Sequence, residues 1–153
     1  ASSIDDMSEQ STGWYWQYNR KQGYTHDGAN RIPNNTTWHL SETDYSSWHN
    51  SNDPCTLLLG GGWRLPTRTE WTNVVGDLPK VENKEEIWNS VLKFHAAGFL
   101  NCSDALFMCR GEYGSYWSST CSDSDNAYYC CYSNTIVYNN SRDYGLSIRC
   151  VRD

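Results

Sequence analysis

Gly62-Trp63-Arg64-Leu65-Pro66-Thr67-Arg68-Thr69-Glu70-Trp71 carries the clearest structural instruction in this chain. Thr67 followed three residues later by Glu70 is the spacing of a capping box. In that motif the Thr hydroxyl accepts from a backbone N–H of the first turn, and the Glu carboxylate reaches back to the N–H of the cap. Pro66 just before it cannot extend a preceding helix. The stretch therefore predicts a helix that begins at Thr67, runs through Val74-Val75 and ends near Gly76-Asp77. Upstream, the aromatic run Trp14-Tyr15-Trp16-Gln17-Tyr18-Asn19, bounded by Gly13 and Gly23, predicts a strand. Residues 24–37 read as loop, with Asp27-Gly28 and Pro33-Asn34-Asn35 as turn signals. Trp38 to Asn52 shows no clean period and reads as mixed loop and short helix. Downstream, Ile87, Val91 and Phe94 recur at helical spacing and predict a second helix from about Lys84 to Lys93. Gly98-Phe99-Leu100 begins a strand, and Ala105 to Met108 begins another.

From Gly111 onward the texture changes. Tyr113, Tyr116, Trp117, Tyr128, Tyr129, Tyr132, Val137, Leu146, Ile148 and Val151 sit in short segments separated by Ser, Asn, Asp and Gly, the pattern of an antiparallel meander. There is no internal repeat and no linker. The expected organisation is a polar N-terminal segment over residues 1–12 and a single α+β domain over residues 13–153, helices early and strands late.

The 153 residues suffice for one ordinary domain with a real core. The longest apolar run is Leu57-Leu58-Leu59, far short of the ~20 residues of a membrane span, so no membrane insertion is expected. A net charge of -6 and the absence of any basic cluster larger than Arg20-Lys21 argue against nucleic acid as a partner. Aromatic residues make up 14 % of the chain, with eight Trp and eleven Tyr against three Phe, an excess that the core must absorb or the surface display. The seven cysteines lack any C-x-x-C spacing, so no metal site and no cofactor is expected.

The last quarter departs from the rest in a way that points at its codons. Ser118 to Asp153 contains no Lys, Glu, Gln, Trp or Met, whereas residues 1–117 hold four Lys, seven Glu, three Gln, eight Trp and two Met. At the upstream rate about seven such residues would be expected in the tail. These five amino acids share one property: no codon ending in a pyrimidine encodes them. A segment diversified by randomising the adenines of Asn codons would draw only from the remaining set. The simpler explanation, that meanders avoid Lys and Glu, does not account for the joint loss of Trp and Gln.

Trp63-Arg64-Leu65-Pro66-Thr67, Gly114-Ser115-Tyr116-Trp117-Ser118-Ser119-Thr120, Ala127-Tyr128-Tyr129 and Gly145-Leu146-Ser147-Ile148-Arg149-Cys150-Val151 together resemble the C-type-lectin-fold domains of the formylglycine-generating-enzyme-like branch. Within it, the chain is most similar to the variable proteins of diversity-generating retroelements, especially those of Bacteroides and their phages. The resemblance runs from Gly13 to Asp153. It implies a C-type lectin fold with two helices and an antiparallel β-meander, and a variable region at about residues 115–150. In such proteins reverse transcription misreads template adenines, and the scaffold stays fixed while ligand-site residues vary.

The resemblance puts Cys130 and Tyr132 where relatives often carry Leu and Phe, hence inward. Strand alternation then turns Tyr129, Cys131 and Ser133 outward. Tyr138, Asn139, Asn140, Ser141, Asp143 and Tyr144 form the polar-aromatic stretch before Gly145. All nine are the expected ligand-binding residues, sharing one exposed face, with Cys121 to Asp125 at its margin. Tyr suits binding because it offers large area and a hydroxyl at little entropic cost. Trp63, Trp71 and Trp117 are expected in the core, Trp63, Trp117, Ile148 and Val151 are expected to be buried beneath or beside that face, and Arg149 is expected to pair with a carboxylate. Cys55 and Cys150 resemble scaffold cysteines of the fold and are expected close enough to bridge.

No catalytic residue is expected. A cysteine nucleophile wants a nearby His, and His26, His39, His49 and His95 lie far from the tail in sequence. Enzymatic relatives use a cysteine pair in a copper site, and no segment here matches it. The implied function is a hypervariable ligand-binding protein, either a phage receptor-binding (tail) protein in the virion or an adhesin at the bacterial cell surface. Its partner would be a protein or glycan on a cell surface, and homo-oligomers are compatible with it. The alternatives are a structural fimbrial or surface subunit on the same scaffold, and a degenerate formylglycine-generating-like enzyme.

Overall fold

Thr67 caps its helix through both halves of the predicted box: its Oγ1 accepts from the Glu70 N–H at 3.2 Å, and Glu70 accepts from the Thr67 N–H at 2.8 Å. The structure, a computed structural model, describes every residue except 3–5, 7, 42–43, 78–83 and 132–135. In chain order the elements are α1 (Glu9–Thr12), β1 (Tyr15–Trp16), β2 (Gly23–His26), β3 (Arg31–Ile32), α2 (Pro54–Leu59), β4 (Trp63–Arg64), α3 (Arg68–Gly76), α4 (Lys84–Asn89), β5 (Phe99–Leu100), β6 (Phe107–Met108), β7 (Ser115–Cys121), β8 (Asn126–Cys131), β9 (Ile136–Ser141) and β10 (Val151–Arg152). Every paired strand runs antiparallel: β1-β2-β3, β4 with β10, β5 with β6, and β7-β8-β9. The chain is therefore α+β, and its late strands form the expected meander. The two predicted helices are α3 and α4, the latter ending at Asn89 instead of Lys93. The predicted strand at 14–19 is confined to Tyr15–Trp16.

Helix α2 (Pro54–Leu59) lies just beyond the Trp38–Asn52 stretch read as mixed loop and short helix, and no helix falls among the described residues of that stretch. Asp53 caps it, its Oδ1 accepting from the Cys55 and Thr56 N–H groups, and Pro54 occupies the first turn, where a missing N–H costs nothing. The other carboxylate oxygen of Asp53 accepts from the Leu65 N–H at 2.9 Å, fastening α2 to the segment that leads into α3. Cys55, fully buried in α2, is bridged to Cys150 with a Cα–Cα distance of 5.5 Å, as the resemblance implies.

Three packed clusters make the core. Trp71 and Val75 of α3 meet Phe94, Ala96, Tyr116 and Cys130, with Val137 against them. Trp16, Tyr18, Trp48, Leu65, Trp117 and Leu146 form a second cluster, and Tyr15, Tyr24, Ala97 and Leu100 a third. The buried indoles and phenols satisfy their polar tips on backbone: Trp117 Nε1 donates to Trp16 O at 2.7 Å, Trp71 Nε1 to Trp117 O at 3.2 Å, and Tyr18 Oη to Ser119 O at 2.6 Å. Trp71 and Trp117 are core residues as expected, whereas Trp63, Ile148 and Val151 are half-buried at its margin, because β4 and β10 pair only with each other and stay open on one side. Among the described residues Arg149 has no carboxylate partner of the kind expected. It donates to the Lys93 carbonyl at 2.6 Å and lies over the Tyr116 ring.

Segment 145–147 ties the pieces together. Leu146 exchanges backbone hydrogen bonds with Trp16, Gly145 exchanges them with Leu100, and Ser147 donates to Ser115 while accepting from Trp117. A Cβ on Gly145 would lie 2.9 Å from the Leu100 Cβ, so this approach requires glycine.

Candidate functional site

The meander has two unlike faces. Along β8 the side chains of Tyr128 and Cys130 go to one side, and those of Ala127, Tyr129 and Cys131 to the other. Register carries this across the sheet: Tyr116 pairs with Cys130 and Cys130 with Val137, all joining the cluster under α3. On the opposite side Trp117 pairs with Tyr129 and Tyr129 with Tyr138, while Ser115 pairs with Cys131 and Ala127 with Asn140. A cavity of about 330 Å³ opens on this second face.

Tyr129, Cys131, Tyr138 and Asn140 supply the sheet side of the cavity and Ser115 its edge. Phe99 of β5 and the Cys109–Tyr113 turn after β6 form the facing wall, and Tyr144 and Leu146 close the third side. The rings are braced against one another. Tyr129 meets Trp117 edge-on at 6.3 Å and Tyr138 at 6.2 Å, and Tyr144 meets Phe99 edge-on at 5.6 Å. Gly98 sets the wall: its N–H donates to Tyr113 O at 2.7 Å, and with φ of 71° an added Cβ would lie 2.3 Å from Met108 O.

Among the described residues no charged side chain lines the cavity. Burial pushes the Tyr129 phenol up to about 12, and a hydrogen bond with Cys102, followed by burial, raises that of Tyr144. Both rings therefore stay neutral phenols at physiological pH. Burial, then Glu112, raises the Cys109 thiol, the opposite of what an activated nucleophile shows. Cys130, on the α3 side, is pushed up to about 12 by burial. Among the described residues no group of three or more His, Cys, Asp and Glu side chains could hold a metal ion, and no helix is long and apolar enough to cross a membrane.

The structure brings Tyr129, Cys131, Tyr138, Asn140 and Tyr144 of the sequence-predicted set into this one cavity. Cys131 lies on the expected side but is buried, with 7 % of its surface accessible; it sits in the central strand, paired with Ser115 on one side and Ile136 on the other. Asn139, Ser141 and Asp143 do not line the cavity. Asn139 and Ser141 alternate away from Tyr138 and Asn140, and Asn139 donates to Ser122 Oγ at 2.8 Å. Asp143 is spent on the scaffold, its carboxylate accepting from the Ser41 N–H at 2.7 Å and its carbonyl from the Gln17 side chain. Ser133 lies outside the described residues, as does Tyr132. The turn after Cys121 touches the strand through Ser122 but contributes nothing to the cavity wall. The facing wall went unread: Phe99, Cys109 and Tyr113 come from a distant hairpin, and the one local hint was Tyr113, an aromatic residue set between Gly111 and Gly114.

No family model, curated protein or solved structure matches the chain.

Proposed function

We propose that this chain is a ligand-binding domain with a C-type lectin fold, of the kind diversified by retroelements and displayed at a phage tail or bacterial surface. The observation that carries it is convergence: residues drawn from the compositionally unusual tail, Tyr129, Cys131, Tyr138, Asn140 and Tyr144, surround one cavity of about 330 Å³. That volume is at the lower end for ligand sites, enough for one sugar ring or one side chain of a partner. Rigid aromatic walls with a few neutral polar groups suit recognition. The raised Cys109 thiol favours binding over covalent chemistry. The Cys55–Cys150 bridge fits display in an oxidising environment.

The test is genetic. The gene and its flanking DNA are sequenced from many clones of the source population. The expected result is substitution confined to adenine positions between codons 115 and 150, with a nearby template repeat matching that segment elsewhere. Substitutions spread evenly over the gene, with no such repeat, would sink the proposal.

A further inference from the structure

The geometry points to an alkylated ammonium group as what the aromatic cavity holds: a quaternary or heavily methylated nitrogen enclosed by Tyr129, Tyr138, Tyr144, Tyr113 and Phe99. This deepens the preceding proposal and rests on the reading of this cavity as the ligand site.

Aromatic faces are electron-rich and attract cations, most strongly where water is excluded. Elsewhere in this molecule several aromatic rings, buried ones among them, already have cations of their own. Arg31 lies over Tyr24 and Trp38, Arg68 over Tyr128 at 4.1 Å, Arg110 over Phe107 at 4.0 Å, and Arg142 over Tyr18 at 4.7 Å. Arg149 over Tyr116 and Lys93 over Trp88 complete the pattern. Among the described residues, Tyr113, Tyr129 and Tyr144 have no such cation, although all three line this cavity. The net charge of -6 adds a long-range field that draws cations in.

The remaining lining selects among cations. A primary ammonium carries three N–H donors that must be satisfied on leaving water. The cavity has no carboxylate to receive them; its acceptors are neutral, the hydroxyls of Ser115 and the tyrosines, and Asn140 Oδ1 already accepts from the Ser141 N–H. Methylation removes the donors and leaves an apolar, positively charged shell, which rings alone can solvate. Two sources share this chemistry, a methylated lysine of a partner protein and a choline headgroup.

The experiment titrates the folded protein with choline and with its neutral isostere 3,3-dimethylbutan-1-ol, following the tyrosine ring signals by NMR. Choline should bind about tenfold or more tighter than the isostere. Tyr138→Phe should keep that preference, and Tyr138→Leu should lose most of it. Tyr138 is 38 % exposed, and the dispersed spectrum of each variant reports that it is folded. A trimethyllysine peptide and phosphocholine, compared next, name the source, and binding of either supports the inference. Equal binding of choline and isostere, or an unchanged preference in Tyr138→Leu, overturns it. Binding of N-acetylglucosamine or methyl galactoside with choline silent also overturns it, while leaving the ligand-site proposal standing. Invariant tail codons together with a choline preference would overturn the diversification by a retroelement and support the inference.

Discussion

Removing the Cys55–Cys150 bridge should destabilise the fold by an amount set mainly by the length of chain it closes. The two cysteines are 95 residues apart in sequence, so the bridge forbids the unfolded chain most of its conformations. In the chain-entropy treatment a loop of this length is worth about 4.7 kcal/mol at 25 °C. For a domain of this size that corresponds to a fall in Tm of roughly 10–20 °C. The perturbation is reduction of the folded protein, paired with Cys55→Ala/Cys150→Ala. The double variant adds a packing loss of about 1 kcal/mol or more, because the Cys55 sulfur is fully buried among Trp48, Leu65 and Trp117. The assay is urea unfolding followed by tryptophan fluorescence, with non-reducing peptide mapping to verify which thiols are joined. Reduced and oxidised protein with the same midpoint would refute the reasoning. So would a map joining Cys55 or Cys150 to any of Cys102, Cys109, Cys121, Cys130 and Cys131.

Thr67→Ala should cost about 1 kcal/mol of stability by removing one half of the capping box, measured by the same unfolding curves. Glu70 is held down at about 2, first by its hydrogen bond with Arg64. Its folded value lies below its unfolded one, so its stabilisation is complete above about pH 4.5 and is lost as pH falls towards 2. Glu70→Gln should therefore be less stable at neutral pH but show a shallower acid decline over that window, read as urea midpoints from pH 6 to pH 2. Gly98→Ala should destabilise by at least about 2 kcal/mol, since φ is positive and the new Cβ meets backbone, and should broaden the Tyr113 ring signals. Wild-type stability in that variant would show that the β5–β6 wall is not held as described.

The features legible in the sequence are the ones encoded locally. The cap on α3 was readable because Thr67 and Glu70 settle it between themselves within one turn. The parity of Tyr129, Cys130 and Cys131 follows from strand alternation over residues 127–133 together with the family likeness that turns Cys130 inward. The polar-aromatic run from Tyr138 to Ser141 does not show by composition that it is a strand, and as β9 it alternates, so its consecutive residues cannot share one face. Asp143 was unreadable for a different reason: its partners, Ser41 and Gln17, are about a hundred residues away and make it structural. The burial of Cys131 comes from its place in the central strand of the meander, between Ser115 and Ile136, which alternation alone does not announce. Helix α2 was missed because six residues are too few to show a period, although Asp53-Pro54 was a legible start signal. The Cys55–Cys150 pairing came from likeness to a fold and not from the spacing of seven cysteines.

The alternation of the meander divides the gene as well as the protein. In β8 and β9 every second codon writes the helix side, where Cys130 and Val137 press against Trp71 and Phe94, and codons 129, 131, 138 and 140 between them write the cavity. A laboratory library that saturates codons 129, 138 and 140, with 144 as the partner on the adjoining segment, would recut the pocket while leaving the packing under α3 untouched. A library of the same size spread over consecutive codons would discard much of its diversity as unfolded chains.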